Sequence, residues 1–242
     1  MTSVCMATYN GEKYIKQQIE SILFQLEKED ELIISDDGSS DKTLEIINSF
    51  NDNRIRIFSH IKPECLSNIK YNKSYYYATS NFENALKQAK GDYIFLSDQD
   101  DIWDKEKKIK MITYLKEKNA DCVMCNFSTI DSTSNIILKK GFEISPIKKS
   151  LIQKVIKSRF IGSSMCFTKE LLTNCLPFPN KLRAHDLWIG CHAKKIVFLD
   201  VPLTLYRRHD ENVSTGIGKS TNKLWYKIYY RIVFLLQFCF SK

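Results

Sequence analysis

Eight glycines and five prolines in 242 residues are too few for a collagen-like or low-complexity chain, and 43% hydrophobic content argues against disorder. No uncharged apolar run approaches the ~20 residues that a membrane-spanning helix needs. The start lacks a basic stretch leading into an apolar one, so no secretory signal is expected and the reading is a cytoplasmic protein. The pattern G-x-x-x-x-G-K-[ST] is missing, and no G-x-G-x-x-G follows the first apolar stretch. P-loop NTPases and dinucleotide-binding dehydrogenases are therefore disfavoured. Of eight cysteines, Cys122 and Cys125 form a lone C-x-x-C with no second pair at zinc-site spacing. Buried, reduced thiols fit a reducing compartment.

Acids are scarce in two places. After Glu211 there are none, while Lys219, Lys223, Lys227, Arg231 and Lys242 follow. Between residues 139 and 159, Glu143 faces Lys139, Lys140, Lys148, Lys149, Lys154, Lys157 and Arg159. The net charge of +8 is thus concentrated in two segments, which points to local anionic partners and not to a nucleic-acid groove.

What is present is an alternation of two hydrophobic periods. Val4 to Ala7, Leu32 to Ile34, Ile55 to Phe58 and Tyr93 to Leu96 read as strands. Between them, Ile15, Ile19, Ile22 and Leu26 form one helical stripe, and Leu44, Ile47 and Phe50 another. Ser80 to Glu83 has capping-box spacing and predicts a helix start. Such alternation implies βαβ units and a mostly parallel sheet, which binds ligands beyond the carboxyl ends of its strands. Three strands here end in polar clusters: Thr8-Tyr9-Asn10, Asp36-Asp37, and Asp98 to Asp101. Topology should gather them along one edge.

Asp98, Asp100 and Asp101 place three carboxylates in four residues. They suit either a hard cation such as Mg2+ or Mn2+ or a plain solvated turn. Asp36-Asp37-Gly38-Ser39 could likewise be no more than a turn.

These segments together resemble family 2 glycosyltransferases. The resemblance rests on Ala7 to Gly11, Ser35 to Thr43 and Gly91 to Asp101 in order, and it extends through Ser214. It implies the GT-A fold: a Rossmann-like, mostly parallel central sheet flanked by helices. A nucleotide-sugar-binding half (1–101) would be joined to an acceptor-binding half (102–215), with 216–242 as a basic amphipathic helical tail. Carried over by position, Thr8, Tyr9 and Asp37 would meet nucleobase and ribose, with Asp36 close by. In the D-x-D, Asp98 would meet ribose or sugar and Asp100 would hold Mn2+ or Mg2+ on the diphosphate. The stretch from His60 to Thr79 is longer and richer in Tyr and Lys than the family pattern.

In the second half, Lys105 to Lys118 predicts a charged helix with Ile109, Ile112 and Leu115 inward. Asp121 to Phe127, Ile161 to Phe167, Val197 to Leu199 and Leu203 to Tyr206 read as strands, the last two separated by Pro202. Arg183-Ala184-His185-Asp186-Leu187-Trp188 offers either an acid–base pair or a helix cap at Asp186. The resemblance assigns Asp186 as general base with His185 as its neighbour. D-Q-D-D-x-W at Asp98 to Trp103 and H-D-x-W at His185 to Trp188, occurring together, resemble the rhamnosyltransferase-type branch. Tyr206 to Ser214 resembles the family's closing motif, in which His209 would bind metal or the leaving diphosphate beside Arg207 and Arg208. A polar surface loop is the alternative.

The expected activity is inverting transfer from a nucleoside-diphosphate sugar, dTDP-rhamnose or a UDP-hexose, to a hydroxyl. The acceptor would be a saccharide or a polyprenyl-diphosphate-linked saccharide in surface polysaccharide synthesis. The rivals are a nucleotidyltransferase and a non-catalytic nucleotide-sugar-binding module. The first should carry a Gly- and Arg-rich loop, yet Ala7 to Tyr14 contains Gly11 alone and no Arg. In the tail, Lys219, Lys223, Lys227 and Arg231 recur every fourth residue beside Leu224, Ile228, Ile232, Leu235 and Cys239. This predicts either an interfacial helix on the anionic inner leaflet of the membrane or a helix packed on the protein itself.

Overall fold

In a computed structural model, the structure describes residues 1–148, 150–210, 212 and 222–240. Lys149, Glu211, Ser214, Lys219 and Lys242 fall outside the described residues. The first half runs β1 (Thr2–Thr8), α1 (Ile15–Leu23), β2 (Glu31–Asp36), α2 (Thr43–Ser49), β3 (Ile55–Ser59), α3 (Lys73–Leu86) and β4 (Tyr93–Asp98). The second runs β5 (Ile102–Trp103), α4 (Lys107–Glu117), β6 (Cys122–Ile130), β7 (Ile136–Leu138), α5 (Leu151–Ile156), β8 (Met165–Thr168), α6 (Lys169–Cys175), α7 (His185–His192), β9 (Ile196–Arg207) and α8 (Leu224–Phe240).

One sheet has the order β3-β2-β1-β4-β8-β6-β9-β5, with β7 paired to β6. The first four strands are mutually parallel, and β8 joins them antiparallel to β4. Strands β1, β2 and β4 read as unbroken apolar runs because helices cover both faces. Val4, Met6, Leu32, Ile34 and Phe95 pack with Ile15, Ile19 and Ile22 of α1 on one side. Cys5, Ile33, Ile94 and Leu96 pack with Phe82 and Leu86 of α3 on the other. Register places Thr8 opposite Asp36 and Ala7 opposite Asp98, so the three polar strand ends do meet at one edge.

Four expectations are corrected. Helix α3 begins at Lys73, so Ser80 to Glu83 lie in its interior and not at a cap. Ser80 Oγ and Asn81 Nδ2 bond instead to His60 Nε2 and the Thr8 carbonyl, tying the helix to the sheet edge. On α4, Ile112 and Leu115 are buried as expected, but Ile109 is 63% exposed and Lys107 and Met111 complete the buried face. The two strands around Pro202 are one strand, β9. Its register against β6 slips from Cys125↔Leu199 to Asn126↔Pro202, a bulge that absorbs the missing proline N–H. The stretch read as a strand from Ile161 is extended only from Met165, after a 3-10 turn at Gly162–Ser164.

Helix α8 turns one side to the protein. Tyr226 and Phe234 are buried, and Phe234 and Phe238 pack edge-on to Trp188 of α7. Its outward side is apolar: Leu224, Ile228, Ile232, Leu236 and Phe240 are all exposed. Lys223 is exposed, but Lys227 and Arg231 are half-buried, so they do not form the outward basic stripe expected from their spacing. No helix among the described residues is long and apolar enough to cross a membrane.

Candidate active site

The polar strand ends open into a cleft of about 890 Å³ lined by Tyr9, Asp37, Asp98, Asp100, Asp186 and His209, among others. They come from the ends of β1, β2, β4 and β9 and from the first turn of α7. Asp37 follows β2, and its Oδ1 lies 2.6 Å from His60 Nδ1 with Lys62 Nζ 3.3 Å from Oδ2. That ammonium also sits over the rings of Tyr9 (5.1 Å) and Tyr77 (5.4 Å). Asp36 has a different task. Its carboxylate accepts from Thr8 Oγ1, the Gly38 and Ser39 amides and Ser39 Oγ, and so shapes the turn in which Gly38 takes φ +81°.

The acidic loop after β4 is pinned from several sides. Gln18 of α1 donates to Ser97 Oγ and to the Asp98 carbonyl, both at 2.8 Å. The Gln99 amide pairs with the Tyr9 backbone, accepting from its N–H (2.9 Å) and donating to its carbonyl (3.0 Å). A Cβ on Gly11 would come 2.5 Å from that amide oxygen and would push the Gln99 side chain from its place on the Tyr9 backbone. Asp100 Oδ2 lies 2.8 Å from His209 Nε2 and accepts from Asn212 Nδ2 at 2.9 Å.

Four carboxylates, Asp98, Asp100, Asp101 and Asp186, converge here. Desolvation, with Asp100 and Asp186 close by, pushes the Asp98 carboxyl up to about 7. Asp101 is fully buried and raised as well, although it accepts the Arg207 N–H. Desolvation lifts Asp186 to about 6, and it drives His185 down to about 3. His185 stacks on Phe82 at 4.2 Å, with its Nδ1 3.4 Å from Thr79 Oγ1. Asp186 lies in the first turn of α7 and accepts from its neighbour Leu187 N–H (2.7 Å), while Ala184 occupies the cap position.

A divalent cation fits this donor set. Asp98, Asp100 and His209 offer hard oxygen and imidazole nitrogen, and the clustered negative charge would be relieved by a cation. Among the described residues no three His, Cys, Asp or Glu side chains form a ready-made cage.

Comparison with known proteins decides the family. The Glycosyl transferase family 2 profile matches residues 3–172. The chain belongs to glycosyl transferase family 2. A dTDP-rhamnosyl transferase of Shigella flexneri, RfbG, is 37% identical over 221 residues, covering 86% of this chain and 72% of that protein. The Escherichia coli protein WfgD, named UDP-Glc:alpha-D-GlcNAc-diphosphoundecaprenol beta-1,3-glucosyltransferase, is 30% identical over 229 residues, covering 93% and 84%. Among solved structures, S. aureus TarS with UDP-GlcNAc superposes with a TM-score of 0.68 at 20% identity. The match covers 97% of this chain and 66% of that one, so this chain spans just under two-thirds of it. A Pyrobaculum calidifontis mannosyltransferase with GDP-Man and Mn2+ gives 0.60 at 15% identity, covering 98% and 64%. The fold is therefore that of GT-A glycosyltransferases, and this chain is a glycosyltransferase.

Within the transferase, some residues do other work than their sequence pattern suggests. The Arg207 guanidinium is buried. It bonds to the Asp100, Asp131 and Ser132 carbonyls, Ser134 Oγ and Gln17 Oε1, and stacks on Tyr14 at 4.6 Å. It thus braces the acidic loop, and it does not line the cleft. Arg208 continues the chain after β9, its N–H donating to the Ile130 carbonyl. Sequence reasoning passed over Lys107, whose buried ammonium donates to the Ser163 carbonyl (2.6 Å) and Thr204 Oγ1 (2.9 Å) beneath the acids. Gln18, Gln99 and Asn212 were also missed. Polar residues in such places look like surface side chains until the tertiary fold is known.

Proposed function

We propose that this chain is an inverting glycosyltransferase that moves a sugar from a nucleoside-diphosphate donor to a hydroxyl of a lipid-linked or saccharide acceptor in surface polysaccharide synthesis. The observation that carries this reading is the meeting of the D-x-D carboxylates, His209 and Asp186 in one cleft. Two relatives support the donor and acceptor classes by name: one is a dTDP-rhamnosyl transferase and the other acts from UDP-Glc on a diphosphoundecaprenol-linked sugar. dTDP-rhamnose is the first candidate and a UDP-hexose the second.

In this reading residues 1–101 hold the donor and 102–215 the acceptor. Tyr9 and Asp37 face the base and ribose, with Thr8 and Asp36 shaping the turn behind them. Asp98 and Asp100 take the sugar–diphosphate end, with His209 on the departing phosphates and Arg208 close by. Arg207 serves them through the loop. A bound Mg2+ or Mn2+ would supply positive charge to the leaving diphosphate. Asp186 accepts the proton of the attacking acceptor hydroxyl as it reaches the anomeric carbon from the opposite face. His185, stacked on Phe82 and kept neutral, orients that end of α7. The exposed apolar side of α8 rests on the anionic inner face of the membrane, where a lipid-linked acceptor is presented.

A thermal-shift panel of dTDP-, UDP- and GDP-sugars with Mn2+ tests the donor half. One nucleotide class should stabilise the protein, and no stabilisation by any of them would sink the reading. A nucleotide that binds yet is never consumed with acceptor present would leave a binding module.

A further inference from the structure

The cleft wall made by α8 and the segment before α7 carries a second charged group, which the donor chemistry does not use. The Arg183 guanidinium is stacked 4.1 Å from the Tyr75 ring centroid and 4.4 Å from that of Tyr230. Arg231, one residue along α8, lies 5.6 Å from the same Tyr230 ring. Both arginines line the cleft.

Their hydrogen-bonding capacity is largely unspent. Arg231 Nη2 donates to the Ile156 carbonyl at 2.8 Å. The Nε of each is buried without a hydrogen-bond partner among the described residues. Two guanidinium groups beside one aromatic ring concentrate positive charge on this wall, and unpaired buried donors are costly. A stacked guanidinium is also pre-organised, so its planar fork loses little freedom on engaging a phosphate in bidentate fashion. Arg183 stands only three residues before Asp186. Behind this wall lie exposed Ile228, Ile232 and Leu236 of α8 and Ile152 and Ile156 of α5. Exposed Lys157 and Arg159 follow α5, so the two basic segments of the sequence come together at this apolar surface.

We propose that Arg183 and Arg231, bridged by Tyr230, form a subsite for the diphosphate of an isoprenoid-borne acceptor, holding its sugar hydroxyl toward Asp186. This rests on the transferase reading above and names the acceptor chemistry. The isoprenoid chain leaves along the apolar side of α5 and α8.

Isothermal titration on the full chain tests it, with farnesyl diphosphate, farnesol and inorganic pyrophosphate as probes. Each is run in Mg2+ buffer with and without saturating nucleoside diphosphate. Farnesyl diphosphate should bind with nucleotide present, pyrophosphate more weakly and farnesol not at all. Arg183→Gln with Arg231→Gln should weaken farnesyl diphosphate about 10- to 100-fold while nucleotide affinity stays unchanged. Arg231→Gln alone gives a second reading if the double variant loses stability. Arg183→Lys keeps the charge but not the fork and should recover only part of the affinity.

Farnesyl diphosphate binding unmoved by the arginines overturns the subsite. So does a parallel loss of nucleotide affinity, which would make these arginines donor ligands. Equal binding of pyrophosphate and farnesyl diphosphate removes the lipid from the proposal. Failure of every nucleotide to bind would instead strike the transferase reading, because the nucleotide-free arm still measures the arginine dependence.

Discussion

Replacing Asp186 by Asn should stop sugar transfer and leave nucleotide binding near wild type. The side chains are nearly the same size, and an Asn oxygen can still accept the Leu187 N–H that Asp186 Oδ1 accepts at 2.7 Å. What disappears is a carboxylate able to take a proton. Loss of a general base costs on the order of 10²–10⁴ in rate, or ~3–5 kcal/mol of transition-state stabilisation. His185 cannot take over, because desolvation holds its imidazole down at about 3, a weak base at neutral pH. The pH profile follows from the same desolvation. Asp186 is raised to about 6 and works only when ionised, so the rate should be level above ~7. Below about 6 it should fall roughly tenfold per pH unit. Initial rates of nucleoside diphosphate release, measured with acceptor from pH 5 to 8, give both quantities. Transfer by Asp186→Asn within tenfold of wild type, or a wild-type profile without an inflection near 6, would refute the reasoning.

Asp100→Ala should abolish metal-dependent nucleotide binding in a thermal-shift assay while leaving the nucleotide-free melting temperature nearly unchanged; undiminished Mn2+-dependent stabilisation would remove Asp100 from the donor site. Lys107→Met should lower stability by about 3 kcal/mol in urea unfolding, because it strips the buried charge facing Asp98 and Asp101. A change under 1 kcal/mol would show that this ammonium is not the counter-charge of the acidic loop. Ile228→Glu with Ile232→Glu, both on the exposed side of α8, should release the protein from anionic liposomes in a sedimentation assay without altering nucleotide affinity. Co-sedimentation equal to wild type would exclude that surface as the docking face. Deleting the whole tail is a poorer probe, since Phe234 and Phe238 pack on Trp188 and α8 walls the cleft.

The donor half was readable in the sequence because its signals are local. A strand covered on both faces reads as an unbroken apolar run, and parallel topology then sends Thr8, Asp36 and Asp98 to one edge without further information. The features that escaped depend on partners far along the chain. Ser80 looks like a cap until its hydroxyl is seen on His60, and Lys107 looks solvated until Ser163 and Thr204 close over it. Helix spacing put Ile109 inward, but the sheet meets α4 on its Lys107–Met111–Leu115 side. Lys227 and Arg231 keep helical spacing in the structure, yet their direction is set by Trp188 and α5, which periodicity cannot see. The unspent donors of Arg183 likewise become visible only when Tyr75 and Tyr230, from two distant helices, enclose it.

The most direct test of the central claim is the anomeric configuration of the product. The full chain would be incubated with dTDP-rhamnose or UDP-glucose, Mn2+ and a diphosphate-linked saccharide acceptor on a short isoprenoid, and the new linkage read by NMR. A single glycoside of configuration opposite to the donor is expected, formed only with divalent metal and lost in Asp186→Asn. A product that retains the donor configuration, or transfer that proceeds undiminished in EDTA, would contradict that expectation.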